Sequence, residues 1–178
     1  MRRLFVAVRP PDAIRACLGA DMGGISGARW ENETQLHLTL RFVGEVDGAC
    51  VRDLDSALAA IRHAPFELRI DGLGCFERRG RPTCLWAGVT PVRDVEALHR
   101  KVDLACTQVA LAPDPRKYVP HITLARLFRH GGLVTRALAR TPALDTPGFR
   151  VETFGLWESH LGREGAHHAL IALYPLRR

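Results

Sequence analysis

The stretch Gln35-Leu36-His37-Leu38-Thr39-Leu40-Arg41-Phe42-Val43 alternates strictly between apolar and polar residues. That is the period of a strand with one buried face. Leu36, Leu38, Leu40 and Phe42 fall on the apolar face, and His37, Thr39 and Arg41 fall on the other. The core of the stretch, His37-Leu38-Thr39-Leu40, recurs as His121-Ile122-Thr123-Leu124. With 8 His, 10 Thr and 23 Leu in 178 residues, only about 0.06 His-x-Thr-Leu matches are expected by chance. Two copies in matching strand patterns therefore mark a duplicated unit.

The residues around the two copies read as a mixture of strands and helices. Arg3–Arg9 is short and β-branched and stops at Pro10-Pro11, so it is a strand. Asp12 caps a helix running to about residue 20. Val51, Leu54, Leu58 and Ile61 recur at helical spacing over 48–62, as do Val92, Val95, Leu98, Val102 and Ala105 over 92–109. Strands are predicted at 66–70, 83–89, 121–125, 149–158 and 168–174, and a short helix at 132–140. Gly72-Leu73-Gly74 marks a turn or bulge. The order lacks the strict βαβ alternation of a doubly wound sheet, and no phosphate-binding glycine motif or Walker lysine is present.

Composition bounds the function. Hydrophobic residues make up 47% and charged residues 25%, the balance of an ordinary globular chain. No apolar run approaches the ~18–20 residues of a membrane span, and the N-terminal apolar run is too short for a signal peptide. The five cysteines are odd in number and form no C-x-x-C pair, which argues against a disulfide framework and a thiolate zinc site. A cytoplasmic protein is expected. The net charge of +6 points weakly to a polyanionic partner.

The strand reading decides what the duplicated residues can do. Residues two apart in a strand point the same way, so each copy projects an imidazole and a hydroxyl together. If both strands face one cleft, two histidines permit acid–base catalysis near neutral pH and two threonines can hold a phosphate. A metal site fits poorly, because neither motif contains Asp, Glu or Cys and two histidines leave zinc two ligands short. No metal and no cofactor is expected.

On these residues the sequence resembles the RNA 2′,3′-cyclic phosphodiesterases, also called 2′-5′ RNA ligases, of the two-histidine phosphoesterase superfamily. Leu36–Glu45 is similar to the family's first motif block and Tyr118-Val-Pro-His121-Ile-Thr123-Leu-Ala-Arg126 to its second. Gly72–Phe76, Leu85–Val89 and Phe154–Ser159 resemble intervening segments, so the likeness covers nearly the whole chain. The resemblance implies an α+β fold: two lobes related by a pseudo-two-fold, antiparallel sheets lining a central cleft, helices outside. Residues 1–178 would then form a single bilobal phosphoesterase domain. It implies catalysis by His37 and His121, phosphate binding by Thr39 and Thr123, and opening of RNA 2′,3′-cyclic phosphate ends to 2′-phosphates, with reversible 2′-5′ ligation. By the same resemblance His37 corresponds to the proton donor and His121 to the acceptor, an order the residues themselves leave open.

Three further residues are candidate substrate contacts. Arg41 shares the face of His37 and Thr39 by alternation. Tyr118 offers a stacking face for a base. Arg126 reaches the His121 face only if the strand bends after Thr123. Phe42 reads as core, and His167-His168 point to opposite faces of a strand. The expected partner is RNA with a 2′,3′-cyclic phosphate end, bound by a monomer without a membrane. A related two-histidine esterase for a small cyclic nucleotide, or a noncatalytic RNA-binding module, are the alternatives.

Overall fold

The structure is a computed structural model and describes residues 1–20, 22–128, 146–162 and 165–178. The helix predicted at 132–140 lies outside the described residues. The described chain runs β1 (Arg2–Val8), α1 (Asp12–Ala20), β2 (Ala28–Trp30), a 3₁₀ turn (Glu33–Gln35), β3 (Leu38–Val46), α2 (Gly48–Ala59), β4 (Phe66–Arg78), β5 (Arg81–Thr90), α3 (Val92–Gln108), β6 (His121–Leu127), β7 (Phe149–Val151), β8 (Thr153–Gly162) and β9 (Gly165–Pro175).

All recorded strand pairs are antiparallel. They follow the order β7-β4-β5-β6-β3-β1-β8-β9, with β2 added beside β6. The path has two halves. β7, β4, β5 and β6 make one, and β3, β1, β8 and β9 make the other. Each half has a β-helix-β unit next to the centre: β1-α1-β3 and β5-α3-β6.

The amphipathic helices form where the periodicity predicts. Asp47 caps α2 by accepting from the Cys50 amide at 2.8 Å. α2 buries Val51, Leu54 and Leu58, and α3 buries Val95, Leu98, Val102 and Ala105. These stripes join Leu38, Leu40, Ile122 and Leu124 in one core cluster. Each fully buried Leu or Ile contributes about 1.5–3 kcal/mol. The apolar residues of both motif strands thus face the helices and turn the intervening polar residues toward the opposite side.

Three details differ from the sequence reading. The strand predicted at 149–158 is two strands, β7 paired with β4 and β8 paired with β1, at distant places in the sheet. β4 does not end at Gly72 but continues to Arg78, because Gly72, at φ 71°, absorbs a bulge opposite β5. β2 was not predicted; three residues show no periodicity, and Ala28–Trp30 are extended because they pair with Ala125–Leu127.

Candidate active site

The two motif strands meet at a single pair, Leu38 opposite Ile122. These are the residues that follow His37 and His121. Equivalent residues facing each other in antiparallel strands place a local two-fold axis through the pair. The register then sets His37 beside Thr123 and Thr39 beside His121, all on the face away from Leu38 and Ile122. Directly opposed Cβ atoms lie ~4.5–5.5 Å apart and diagonal ones ~7–8 Å. The imidazoles occupy one diagonal of this square and the hydroxyls the other.

Each imidazole is held in the same way. His37 donates from Nδ1 to the Gln35 carbonyl at 2.6 Å, and His121 donates from Nδ1 to the Val119 carbonyl at 2.7 Å. A carbonyl only accepts, so Nδ1 carries the hydrogen in both rings and Nε2 is the atom left for chemistry. The supports behind the rings differ. On the His37 side the buried Arg15 donates to the Glu33 carbonyl at 3.1 Å and so holds the turn that presents Gln35. On the other side Tyr118 donates from Oη to the Thr39 carbonyl at 2.9 Å, and His99 donates from Nδ1 to the Leu40 carbonyl at 2.7 Å. The Tyr118 and His99 rings stack at 3.8 Å and 7°.

Both motif strands carry a bulge three residues after the histidine. Thr39 and Arg41 pair with consecutive residues of β1, leaving Leu40 as the extra residue. Thr123 and Ala125 pair with consecutive residues of β5, leaving Leu124 extra. A bulge reverses the alternation that follows it. Arg41 therefore turns away from the His37 face. It is 6% exposed, pairs with Asp103 at 3.1 Å and Asp114 at 3.5 Å, and donates to the Ala112 carbonyl. Phe42, read as core from alternation, is instead 52% exposed on the cleft side. The second bulge supplies the bend that Arg126 needs. Arg126 reaches the cleft beside His37, Thr39 and Thr123, with its Nε 3.4 Å from Glu31.

A small cavity of about 20 Å³ adjoins His37 beside Phe5, Trp157 and His168, and two larger ones are both lined by Thr39 and Phe42. One of the larger pair, of about 600 Å³, holds His37, Thr123 and Arg126. The other, of about 300 Å³, holds His121, Phe42, Phe76, His99 and Tyr118. His121 packs edge-on against Phe76 at 4.8 Å, with Trp86 at 6.0 Å. Gly74 makes room for that tryptophan: a Cβ there would sit 2.1 Å from its ring. Burial lowers the pKa of His121 below the ordinary histidine value. His37 is held down to about 4, chiefly by burial and then by His168, His121 and Arg126 as neighbouring cations. Both shifts favour the neutral form of the ring, more strongly for His37.

His168 is the functional candidate that the sequence reading missed. Its ring stands 5.1 Å from His37 at 80°, and both rings pack on Phe5 at 4.8 Å. His167-His168 identifies a strand with one ring on each face, but which ring faces the cleft depends on the pairing of His168 with Ser159 on β8. No local pattern encodes that register.

Comparison with known proteins gives a consistent picture. Residues 11–163 match the family described as the 2′-5′ RNA ligase superfamily. An RNA 2′,3′-cyclic phosphodiesterase of Thermus thermophilus is 32% identical over 186 residues, covering 98% of this chain and 90% of the relative. One of Geobacillus stearothermophilus is 33% identical over 179 residues and covers 97% of this chain, which spans only 56% of that relative's length. The crystal structure of E. coli LigT complexed with 3′-AMP superposes with a TM-score of 0.86 at 25% identity, covering 99% of both chains.

Proposed function

This chain belongs to the 2′-5′ RNA ligase superfamily, and on that premise we propose that it opens RNA 2′,3′-cyclic phosphate ends to 2′-phosphates, with His37 and His121 as the acid–base pair. The observation that carries the reading is the paired lock. Two imidazoles on one face, each with Nδ1 tied to a carbonyl, offer two Nε2 atoms to one bound phosphate. One Nε2 removes a proton from water as the water oxygen attacks phosphorus. The P–O3′ bond breaks, and the other ring, as imidazolium, protonates O3′. The products are a 2′-phosphomonoester and a 3′-hydroxyl. The family correspondence makes His37 the donor and His121 the acceptor.

Because burial disfavours the imidazolium form of both rings, the donor's proton is best held once the substrate anion is bound. A phosphodiester anion raises the pKa of an adjacent imidazole, so substrate binding and acid formation are coupled. Thr39 and Thr123 donate to the phosphate oxygens, and Arg126 opposes the charge that builds on them. These donors make a metal-free reaction feasible. An RNA 5′-hydroxyl in place of water gives 2′-5′ ligation by the same proton transfers. Tyr118 and Phe42 border the place for the terminal base, whereas Arg41 serves as a positioning residue.

The same reading treats residues 1–178 as one bilobal phosphoesterase domain acting as a monomer, since both histidines and both threonines of the site come from one chain. A cytoplasmic setting agrees with the five free thiols. No described helix is long and apolar enough to cross a membrane. The test is hydrolysis of a short RNA with a 2′,3′-cyclic phosphate end in excess EDTA, with the product's phosphate position determined. A 2′-phosphate product that requires both histidines supports the reading. Activity that returns only with added metal, or a 3′-phosphate product, overturns it.

A further inference from the structure

The larger cavity holds guanidinium and imidazole groups that this reaction does not use. Arg3, Arg29 and His168 line it in addition to Arg126, and Glu31 is the one acidic residue among its described lining residues. Arg29 and Arg126 stand directly opposite each other in the β2–β6 pairing. Like charges at opposed positions destabilise a sheet, and Glu31 neutralises only the Arg126 side, at 3.4 Å. Among the described residues Arg3 and Arg29 form no ion pair. The Arg29 guanidinium lies over the Phe128 ring at 5.7 Å and makes no hydrogen bond to another side chain among the described residues. His168 brings a third imidazole to the same wall, 5.1 Å from His37. An anion among these groups converts an unfavourable juxtaposition into charge-assisted hydrogen bonds. The adjoining cavity has cations of its own in Arg41, Arg116 and Lys117, but Asp114 pairs with Arg41 and Arg116, and its Phe42, Phe76 and Tyr118 rings suit a base.

We propose that Arg3, Arg29 and His168, beside Arg126, form a second anion subsite, which takes a phosphodiester of RNA other than the one that reacts. This deepens the reading above and rests on it: the preferred substrate is an RNA strand with at least two phosphates, not a cyclic mononucleotide. The second phosphate belongs either to the strand with the cyclic end or to a separate strand that brings a 5′-hydroxyl.

The test compares kcat/KM for adenosine 2′,3′-cyclic phosphate, its 5′-phosphorylated form, and an adenylyl dinucleotide with a cyclic end. The expected result is a gain of about tenfold for the substrates with a second phosphate, shrinking as salt rises. Arg29→Gln, Arg3→Gln and His168→Gln then each reduce the dinucleotide-to-mononucleotide ratio. That outcome assigns the phosphate to the reacting strand. A second arm measures binding of a short 5′-hydroxyl oligoribonucleotide by fluorescence anisotropy. Equal kcat/KM at all lengths, with oligonucleotide affinity falling about tenfold in Arg29→Gln, assigns it to a second strand. Equal kcat/KM together with affinity indifferent to Arg29→Gln and Arg3→Gln overturns the subsite. Absence of turnover on every substrate overturns the phosphodiesterase reading instead, and the affinity arm still decides the subsite.

Discussion

The two motif strands share a backbone design and differ in what surrounds it. Both place a histidine, a threonine and a bulge at the same spacing, and both fix Nδ1 on the carbonyl two residues back. Around His37 stand Arg126, His168 and the Phe5 ring. Around His121 two aromatic rings, Phe76 and Trp86, pack directly, and the cations Arg41, Arg116 and Lys117 also line its cavity. The motif therefore fixes where each Nε2 points, and the flanking strands fix how readily it holds a proton. The duplicated unit thus differs between its copies through its neighbours rather than through its own residues.

The strongest way to break the comparison is to remove one ring at a time. His37→Ala and His121→Ala are each expected to lower kcat about 10²–10⁴-fold, measured on an RNA cyclic end. A variant that retains near-normal turnover would show that only one half carries the chemistry.

The next contrast concerns the residues after the bulges. Arg41→Ala leaves Asp103 and Asp114 without their buried partner and is expected to lower unfolding free energy by about 3 kcal/mol. Arg126→Ala, at the exposed cleft position, is expected to change stability by less than about 0.5 kcal/mol while weakening kcat/KM. Urea titrations of the two variants separate a supporting arginine from a cleft arginine.

Thr39→Val and Thr123→Val test whether the hydroxyl diagonal is as even as its geometry. Each removes one donor to a charged group, so roughly 10–100-fold losses in kcat/KM are expected. A loss confined to one threonine would place the phosphate off the two-fold axis. A smaller effect is expected of Tyr118→Phe, which frees the Thr39 carbonyl and costs about 1 kcal/mol, or about 2–4 °C in Tm. A larger fall would mark Tyr118 as the tie between the halves.

The finest contrast is in pH dependence. His37 has a folded pKa of about 4, below the ordinary ~6.5. The unfolded chain takes up the proton first, so this contribution to stability is full above about pH 6.5 and is lost as pH falls toward 4. His37→Gln is expected to flatten that loss in denaturant midpoints more than His121→Gln. Equal flattening would erase the electrostatic difference between the halves.

Much of the site was legible because it is local. Alternation around Leu36–Leu40 and Ile122–Leu124 put both His–Thr pairs opposite the apolar residues, and the α+β fold followed from the family resemblance that the two motif blocks carry. What alternation misplaced lies beyond the bulges. Arg41 and Phe42 exchanged faces because one extra residue reverses every side chain after it, and nothing in Leu40-Arg41-Phe42 announces that extra residue. His168 and Arg29 enter the cleft through pairings with distant strands, whose register depends on the assembled sheet.

The strand order also bears on how the protein is made. β1 lies between β3 and β8, yet β8 begins at Thr153, far down the chain from Val46. At ~5–20 residues per second the ribosome needs roughly 5–20 s to cover that interval. Throughout it, the β1 edge that later receives Leu156 and Trp157 has no partner, and an open apolar edge invites aggregation. The hairpin of β8 and β9 brings His168 to His37 in the same step that closes this edge. A nascent chain stalled before residue 153 would emerge with both histidine motifs translated but an incomplete His37 wall, and would depend on chaperones until the hairpin arrived.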